Sequence, residues 1–221
     1  MPSIQYNQNI DVSIPVKSTA LYGNLFIPDN ATGIVVFVHG SGSSRFSKRN
    51  RYVAERLNQS GLATLLFDLL TEDEEQIDNI TREFRFNIPL LATRLITVTD
   101  WILSNSSLTK LKIGYFGAST GAAAALIAAA NRIDNIHAVV SRGGRADLAD
   151  ESLAFVEAPT LLIVGSLDDS VIQMNIEAKD KMIKTKIKKL TIVNGATHLF
   201  EEPGKLDEVV ELARDWFLKY L

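Results

Sequence analysis

Continuous apolar runs that alternate with helix-like segments are the feature that most constrains how this chain can fold. The stretches 33–40 (GIVVFVHG) and 62–68 (LATLLFD) are apolar without polar alternation, which is typical of strands buried on both faces. Similar runs recur at 111–116, 136–141, 159–165 and 187–193, and the segments 48–60, 88–104, 119–130, 170–183 and 205–220 are predicted helices. This alternation predicts an α/β fold, with a mostly parallel sheet and helices on both of its faces.

Two segments depart from the alternation. Residues 4–14 and 20–27 are predicted strands that form an antiparallel pair at the edge of the sheet. Residues 69–86 are polar and acidic, and we expect them to run over the surface and to help form a pocket. Since no linker or internal repeat is visible, residues 1–221 are predicted to form a single domain.

Composition narrows the class of protein. The net charge of −3 comes without the basic stripe typical of nucleic-acid binding, so no nucleic-acid partner is expected. The absence of cysteine excludes disulfides, thiolate metal sites and cysteine nucleophiles. The N-terminus lacks the pattern of a secretory signal, and the alanine-rich stretch 121–130 is shorter than the ~20 residues of a membrane span. We therefore expect a cytoplasmic protein with no membrane partner.

Polar residues that could carry chemistry follow the predicted strands. In open α/β sheets, ligands bind at the carboxyl ends of the strands. The segments at these ends are HGSGSS after 33–38, GASTG after 111–116, GSLDDSV after 159–164 and NGATHLF after 187–193. A serine, an acid and a histidine thus reach three strand ends in the chain order Ser119, Asp168, His198.

Ser119 is the centre of a G-x-S-x-G pattern over residues 117–121, between a predicted strand and a predicted helix. The sharp turn expected there would expose the serine oxygen beside a helix N-terminus, which favours developing negative charge. The alternative is a serine that only caps the helix, since serine is a preferred N-cap. The acid and the histidine at later strand ends favour a nucleophile.

A nucleophilic serine needs a base, and the base needs an orienting acid. Among the three histidines, His198 is the preferred base because it lies in the loop after the last strand. His137 begins a strand at the opposite end of the sheet, and His39 is expected to shape the glycine-rich loop that follows it.

The orienting acid is expected after the strand 159–165. Asp168 is preferred because it falls in the pattern Gly165-x-x-Asp168-x-x-Val171. Its neighbour Asp169 is the alternative, and it suits a cap of the following helix. Asp68, at the end of another strand, is interpreted as a structural carboxylate that binds loop N–H groups.

An oxyanion hole needs two donors aimed at one point. Thr120 is expected to supply one backbone N–H, and Ser41 or Gly42 in the glycine-rich loop the other. The same loop fits neither a Walker motif nor a dinucleotide fingerprint, because Arg45 stands where each requires glycine. We expect no cofactor and no metal.

Three arginines near the strand ends are candidates for substrate binding. Arg142 and Arg145 follow the strand 136–141, and Arg45 lies in the glycine-rich loop. The guanidinium group suits carboxylate or phosphate recognition. The alternative, slightly favoured by the sequence, is that these arginines pair with acidic residues such as Asp147 or Asp150 and brace the loops.

The stretches VFVHGSGSS, GASTG, PTLLIVGSLDDSV and GATHLF together resemble the α/β-hydrolase superfamily, and within it the small dienelactone-hydrolase-like hydrolases. The resemblance covers the chain from about residue 20 to its end. It implies the α/β-hydrolase fold with about eight strands, a triad of Ser119, Asp168 and His198, and an oxyanion hole from the backbone of Ser41 and Thr120. Only 17 residues separate the strands 136–141 and 159–165, where lid-bearing members insert several helices, so no large lid is expected.

The resemblance also implies a function. Dienelactone hydrolases proper use a cysteine nucleophile, which this chain lacks, so we expect a serine hydrolase that cleaves carboxylic esters or lactones of small molecules. A peptidase or a thioesterase on the same triad is an alternative, because the pocket decides the leaving group. A ligand-binding module without catalysis is another, which an intact triad disfavours.

Overall fold

An eight-stranded sheet forms the centre of the molecule in the computed structural model, which describes residues 6–221. The strands are β1 (Asn9–Val16), β2 (Thr19–Phe26), β3 (Gly33–Val38), β4 (Ala63–Phe67), β5 (Lys112–Ala118), β6 (Ile136–Arg142), β7 (Thr160–Gly165) and β8 (Lys188–Val193). Their order across the sheet is β1-β2-β4-β3-β5-β6-β7-β8. The strands from β3 onward are parallel, whereas β1 and β2 form an antiparallel edge. The predicted mostly parallel sheet is confirmed, and residues 4 and 5 of the predicted first strand lie outside the described residues.

The described residues form six α-helices. They are α1 (Lys48–Gln59), α2 (Glu72–Thr81), α3 (Ile88–Ser104), α4 (Thr120–Asn131), α5 (Asp169–Lys181) and α6 (Lys205–Tyr220). Apolar residues of α1 and α6 pack with one face of the sheet, and those of α3, α4 and α5 pack with the other. Within residues 6–221, none of these helices is both long and apolar enough to cross a membrane.

The segment 69–86 runs over the surface, as expected, and it contains a helix, α2, that its polar composition did not predict. Thr71 and Glu74 form a capping box, in which each side chain binds the backbone N–H of the other residue. Four acidic residues in the first turn suit the positive end of the helix dipole. The polar composition therefore marks a helix start, and the Glu74 carboxylate also pairs with Arg94 of α3.

Close packing of β5, α4 and β3 explains the small residues of the stretch 117–125. A Cβ atom at Gly117 would lie 2.5 Å from the Cα of Ala122, and one at Gly121 would lie 2.2 Å from the carbonyl oxygen of Val38. All four alanines over 122–125 are buried. The N-terminus of α4 is thereby held against the carboxyl ends of β3 and β5, where the predicted site lies.

The connection between β6 and β7 carries no lid domain, as expected. It forms 3-10 turns over Ala146–Phe155, and its buried residues Ala146, Ala149 and Leu153 join the core beside α4. No inserted domain therefore covers the carboxyl ends of the parallel strands, and ligands can reach them from solvent.

Candidate active site

Ser119 occupies the sharp turn between β5 and α4, with φ 50° and ψ −123°. Positive φ is uncommon for residues other than glycine and costs on the order of 1–3 kcal/mol, a strain often found at functional sites. The Ser119 N–H donates to the carbonyl of Arg142 at 3.2 Å, and the Ser119 carbonyl accepts from the N–H of Ala122 and of Arg145. The side chain makes no capping hydrogen bond, so the alternative of a simple helix cap is wrong.

His198 and Asp168 meet above the ends of β8 and β7. The Nδ1 of His198 lies 2.6 Å from Oδ2 of Asp168. Since the carboxylate can only accept, Nδ1 carries the proton of this contact, and in the neutral ring Nε2 then holds the lone pair. The Asp168 side chain is 14% exposed and that of His198 is 37% exposed, so the imidazole reaches solvent while its acid is shielded.

Asp168 stands at the N-cap position of α5 without making a capping hydrogen bond, because its carboxylate binds His198. Asp169 is the first residue of the helix rather than its cap, so that expectation is wrong. The loops after β7 and β8 are in direct contact, since a Cβ atom at Gly165 would lie 2.2 Å from the carbonyl oxygen of Ala196. This packing fixes where His198 stands relative to its acid.

Ser119 and His198 line one cleft of about 270 Å³. The cleft is lined by Gly40, Ser41, Ser43, Ser47, Arg49, Asn50, Ala118, Ser119, Arg142, His198 and Leu199. No residue of 69–86 is among them, so the expectation that this segment helps form the pocket is wrong for this cleft. Several of its residues instead line a neighbouring cavity of about 120 Å³, whose lining shares Gly40, Ser41 and Ser43 with the cleft.

The loop after β3 is shaped by His39, as expected. The imidazole accepts at Nε2 from the N–H of Leu69 at 3.1 Å, and its Nδ1 lies 2.9 Å from the carbonyl oxygen of Gly40. These contacts define a neutral ring protonated on Nδ1, and burial lowers the pKa of His39 below its ordinary value of 6.5. Asp68 braces the same loop by accepting from the Arg45 N–H at 2.7 Å, which matches its interpretation as a structural carboxylate.

The two candidate oxyanion donors are neighbours. Thr120 begins α4, and its Oγ1 accepts a hydrogen bond from the Ser41 N–H at 2.9 Å. The donor expected from the glycine-rich loop therefore already has an acceptor in this structure. The sequence gives no signal for this contact, which joins residues 79 positions apart.

The three candidate arginines have different partners. Arg45 pairs with Asp68, and Arg145 makes a two-pronged pair with Asp147 at 2.8 and 2.9 Å, so the bracing alternative is observed for both. Arg142 is only 8% exposed, and the one side-chain hydrogen bond it makes among the described residues runs from Nη2 to Oδ1 of Asn50 at 3.3 Å. Arg142 is thus the candidate that faces the cleft without an acidic partner.

Two site neighbours were not anticipated from sequence. Arg49, in the first turn of α1, lines the cleft beside Arg142. Gly143 has a φ of +52°, and a Cβ atom there would lie 3.0 Å from the carbonyl oxygen of His198. The sequence of α1 carries no signal that Arg49 would line the cleft. The only signal for Gly143 is that a glycine directly follows the end of a strand.

The model of the Dienelactone hydrolase family matches residues 21–218. A solved structure described as dienelactone hydrolase from Anabaena variabilis ATCC 29413 is 58% identical, with a TM-score of 0.94, and the match covers 97% of this chain and 98% of that one. Est1E from Butyrivibrio proteoclasticus shares the fold at 18% identity and a TM-score of 0.78, with 95% of this chain and 98% of that one covered.

Two Mycobacterium tuberculosis proteins, from strains CDC 1551 and H37Rv, are 54% identical over 211 residues, which is 96% of this chain. Both carry the name "Putative phosphoribosyl transferase". The match covers 46% of each, so the chain spans about half the length of these curated relatives.

Proposed function

Because this chain belongs to the dienelactone hydrolase family, a family of hydrolases, we propose that it cleaves carboxylic esters or lactones of small molecules with Ser119 as nucleophile. His198 acts as the base and Asp168 orients it. The observation that carries this proposal is the 2.6 Å contact between His198 Nδ1 and Asp168 Oδ2, in a site where His198 and the strained Ser119 line the same cleft. No cofactor enters the reaction.

The proposed reaction uses the tautomer of His198 that the contact with Asp168 selects. Nε2 holds a lone pair and takes the Ser119 hydroxyl proton while Oγ attacks the substrate carbonyl. The imidazolium that forms is stabilised by the Asp168 carboxylate, and it then gives the proton to the leaving oxygen. Water, activated by the same imidazole, releases the acyl group from Ser119.

Two backbone N–H groups are proposed to bind the oxyanion. The Thr120 N–H belongs to the first turn of α4, where backbone donors have no partner within the helix. The Ser41 N–H donates to Thr120 Oγ1 in the structure without substrate. We propose that, when substrate is bound, the same N–H donates to the oxyanion, either in place of Thr120 Oγ1 or in addition to it. A neutral hydrogen bond has a net worth of about 0.5–1.5 kcal/mol, which is small beside the charge stabilisation that an oxyanion gains from a donor.

The transferase name of the Mycobacterium tuberculosis relatives belongs to proteins of about twice this length. We propose that any phosphoribosyl transfer by those relatives resides in the half that this chain does not match. This chain, which matches the other half, contains the serine turn and the histidine–aspartate pair described above, and these groups are suited to acyl transfer.

Labelling with a fluorophosphonate probe tests the proposed function. The wild-type protein is expected to react once, at Ser119, and Ser119→Ala is expected not to react. Ser104→Ala, which changes an exposed serine at the end of α3, is the matched control and keeps full labelling. Wild-type protein that is folded but unlabelled would contradict the proposal. A panel of matched esters, lactones, thioesters and amides then separates the esterase from the thioesterase and peptidase alternatives.

A further inference from the structure

The imidazole of His198 is held in place mainly by the backbone that carries it. His198 is the second residue of a tight turn over residues 197–200, in which the Phe200 N–H donates to the Thr197 carbonyl at 3.2 Å. The His198 side chain is 37% exposed, and within the described residues its ring makes one hydrogen bond, to Asp168. A partly exposed ring with one partner follows every movement of its turn.

The chain that leads into this turn is attached to the loop after β7. The Gly195 N–H donates to Ser166 Oγ at 2.8 Å, and the Ala196 carbonyl accepts from the Leu167 N–H at 3.0 Å. The same loop carries Asp168. The entry to the turn and the orienting acid therefore belong to one connected piece of structure.

Glu202 closes the turn from its other side. The Thr197 N–H lies 3.1 Å from Oε1 and 3.2 Å from Oε2 of Glu202, five positions later in the chain. Since a carboxylate can only accept, this N–H donates to it, in a charge-assisted bond roughly twice as strong as a neutral one. The Glu202 carbonyl accepts from the Lys205 N–H at 3.0 Å, at the start of α6. The turn that carries His198 is thereby tied to α6.

The backbone between His198 and Glu202 is strained, so it needs such ties. Phe200 has a φ of +56°, and its side chain is only 1% exposed. A bulky residue keeps positive φ only where its surroundings hold it there. The buried phenyl ring holds the turn from the core, and the Glu202 carboxylate holds it from the outer side.

The neighbouring acid, Glu201, has a different role. Its carboxylate pairs with Arg49 of α1. Glu202 instead binds the turn, and a hydrogen bond with the Thr197 side chain is the main cause that lowers the pKa of Glu202 below its ordinary value. Glu202 is therefore an ionised acceptor at neutral pH.

We propose that Glu202 is a positioning residue for the base. Its carboxylate holds the Thr197 N–H and thereby fixes how the His198 imidazole is presented to Ser119 and Asp168. The effect on rate rests on the proposed function, whereas the effect on the contact between His198 and Asp168 does not. Glu202 is absent from the lining of the cleft, so its role is to hold the base rather than to touch substrate.

Hydrolysis of a 4-nitrophenyl ester tests the effect on rate. Glu202→Ala is expected to lower kcat by about 10- to 100-fold and to change KM by less than about threefold, because misplacement of a catalytic group by about 1 Å can cost 10²-fold. Glu202→Gln keeps an oxygen that can accept from the Thr197 N–H, so its kcat should stay within about threefold of wild type.

Glu211→Ala is the matched control, because it removes another exposed acid, on α6. It should leave kcat and KM unchanged. Two results would overturn the proposal: a kcat of Glu202→Ala within about threefold of wild type, or an equal loss of kcat in Glu202→Ala and Glu202→Gln.

NMR of the His198 ring separates this inference from the proposed function. In protein with ¹⁵N-labelled histidine, the His198 Nδ1–H bonded to Asp168 should give a low-field proton resonance, which His198→Gln assigns among the three histidines. Exchange with water should broaden or remove this resonance in Glu202→Ala, while Glu202→Gln and Glu211→Ala keep it. This result would support the positioning role even if the fluorophosphonate probe failed to label Ser119. An unchanged resonance in Glu202→Ala would refute the role, even for an active esterase.

Discussion

Replacement of Arg142 by methionine should make the protein more stable. Transfer of the guanidinium into the fold lowers its pKa from its ordinary value to about 10, which corresponds to about 3 kcal/mol against the charged form. Both the folded and the unfolded states are protonated at pH 7, so this penalty is fully present there. Methionine is of similar length and needs no hydrogen-bond partner, whereas Asn50 would lose one bond worth about 1 kcal/mol.

The expected net effect is a gain of roughly 1–3 kcal/mol in the free energy of unfolding at pH 7. For a chain of this size, each kcal/mol should raise Tm by about 2–4 °C. Denaturant titration and calorimetry of wild type and Arg142→Met measure both quantities. The gap should narrow as pH rises above about 10, because the unfolded state then binds more protons than the folded one and the wild type gains stability.

Arg145→Met is the control, since Arg145 is one-third exposed and pairs with Asp147. A paired surface arginine contributes at most about 1 kcal/mol, so this variant should be unchanged or slightly less stable. A loss of stability of more than about 1 kcal/mol in Arg142→Met would refute the reasoning, because it would show that the buried guanidinium supports the fold.

Three further predictions concern the site and its loops. Asp168→Asn should lower kcat by roughly 10³–10⁴-fold while the protein stays folded, because the amide donates to Nδ1 and favours the wrong His198 tautomer. Ester hydrolysis measures the loss and circular dichroism checks the fold. A loss of less than about tenfold in kcat would contradict the role of Asp168. Thr120→Val removes the acceptor of the Ser41 N–H and should lower kcat several-fold, with Thr120→Ser close to wild type; equal rates for both variants would show that the hydroxyl does not position the loop. Since burial lowers the pKa of His39, the unfolded state binds more protons near pH 6, and stability should fall as pH drops below about 6.5; the same pH slope in His39→Gln would exclude this cause.

The fold was predictable because burial dominates the local pattern. Continuous apolar runs become central parallel strands, and the apolar face of 88–104 predicts α3. Helix α2 was missed since its sequence has few buried residues, although Thr71 and Glu74 carry a capping signature. The polarity of 69–86 predicts only an exposed segment, whereas the capping box at its start determines that the segment begins as a helix.

The site was predictable only where its residues follow strand ends. Ser119, Asp168 and His198 are brought together because parallel strands end at one edge of the sheet. Hydrogen-bond partners are tertiary facts. The sequence offers Asp147 as a partner, but it could not show that Asp147 binds Arg145 while no acid within the described residues binds the Arg142 side chain. For the same reason it could not show that Arg49 of α1 enters the cleft.

The intact mass of the protein during turnover tests the central claim most directly. Rapid acid quenching of wild-type protein mixed with a 4-nitrophenyl ester should trap one acyl group per chain, and peptide mapping should place it on Ser119. Ser119→Ala should show neither the adduct nor hydrolysis above background. An acyl group trapped on a residue other than Ser119, or turnover retained by Ser119→Ala, would contradict the account.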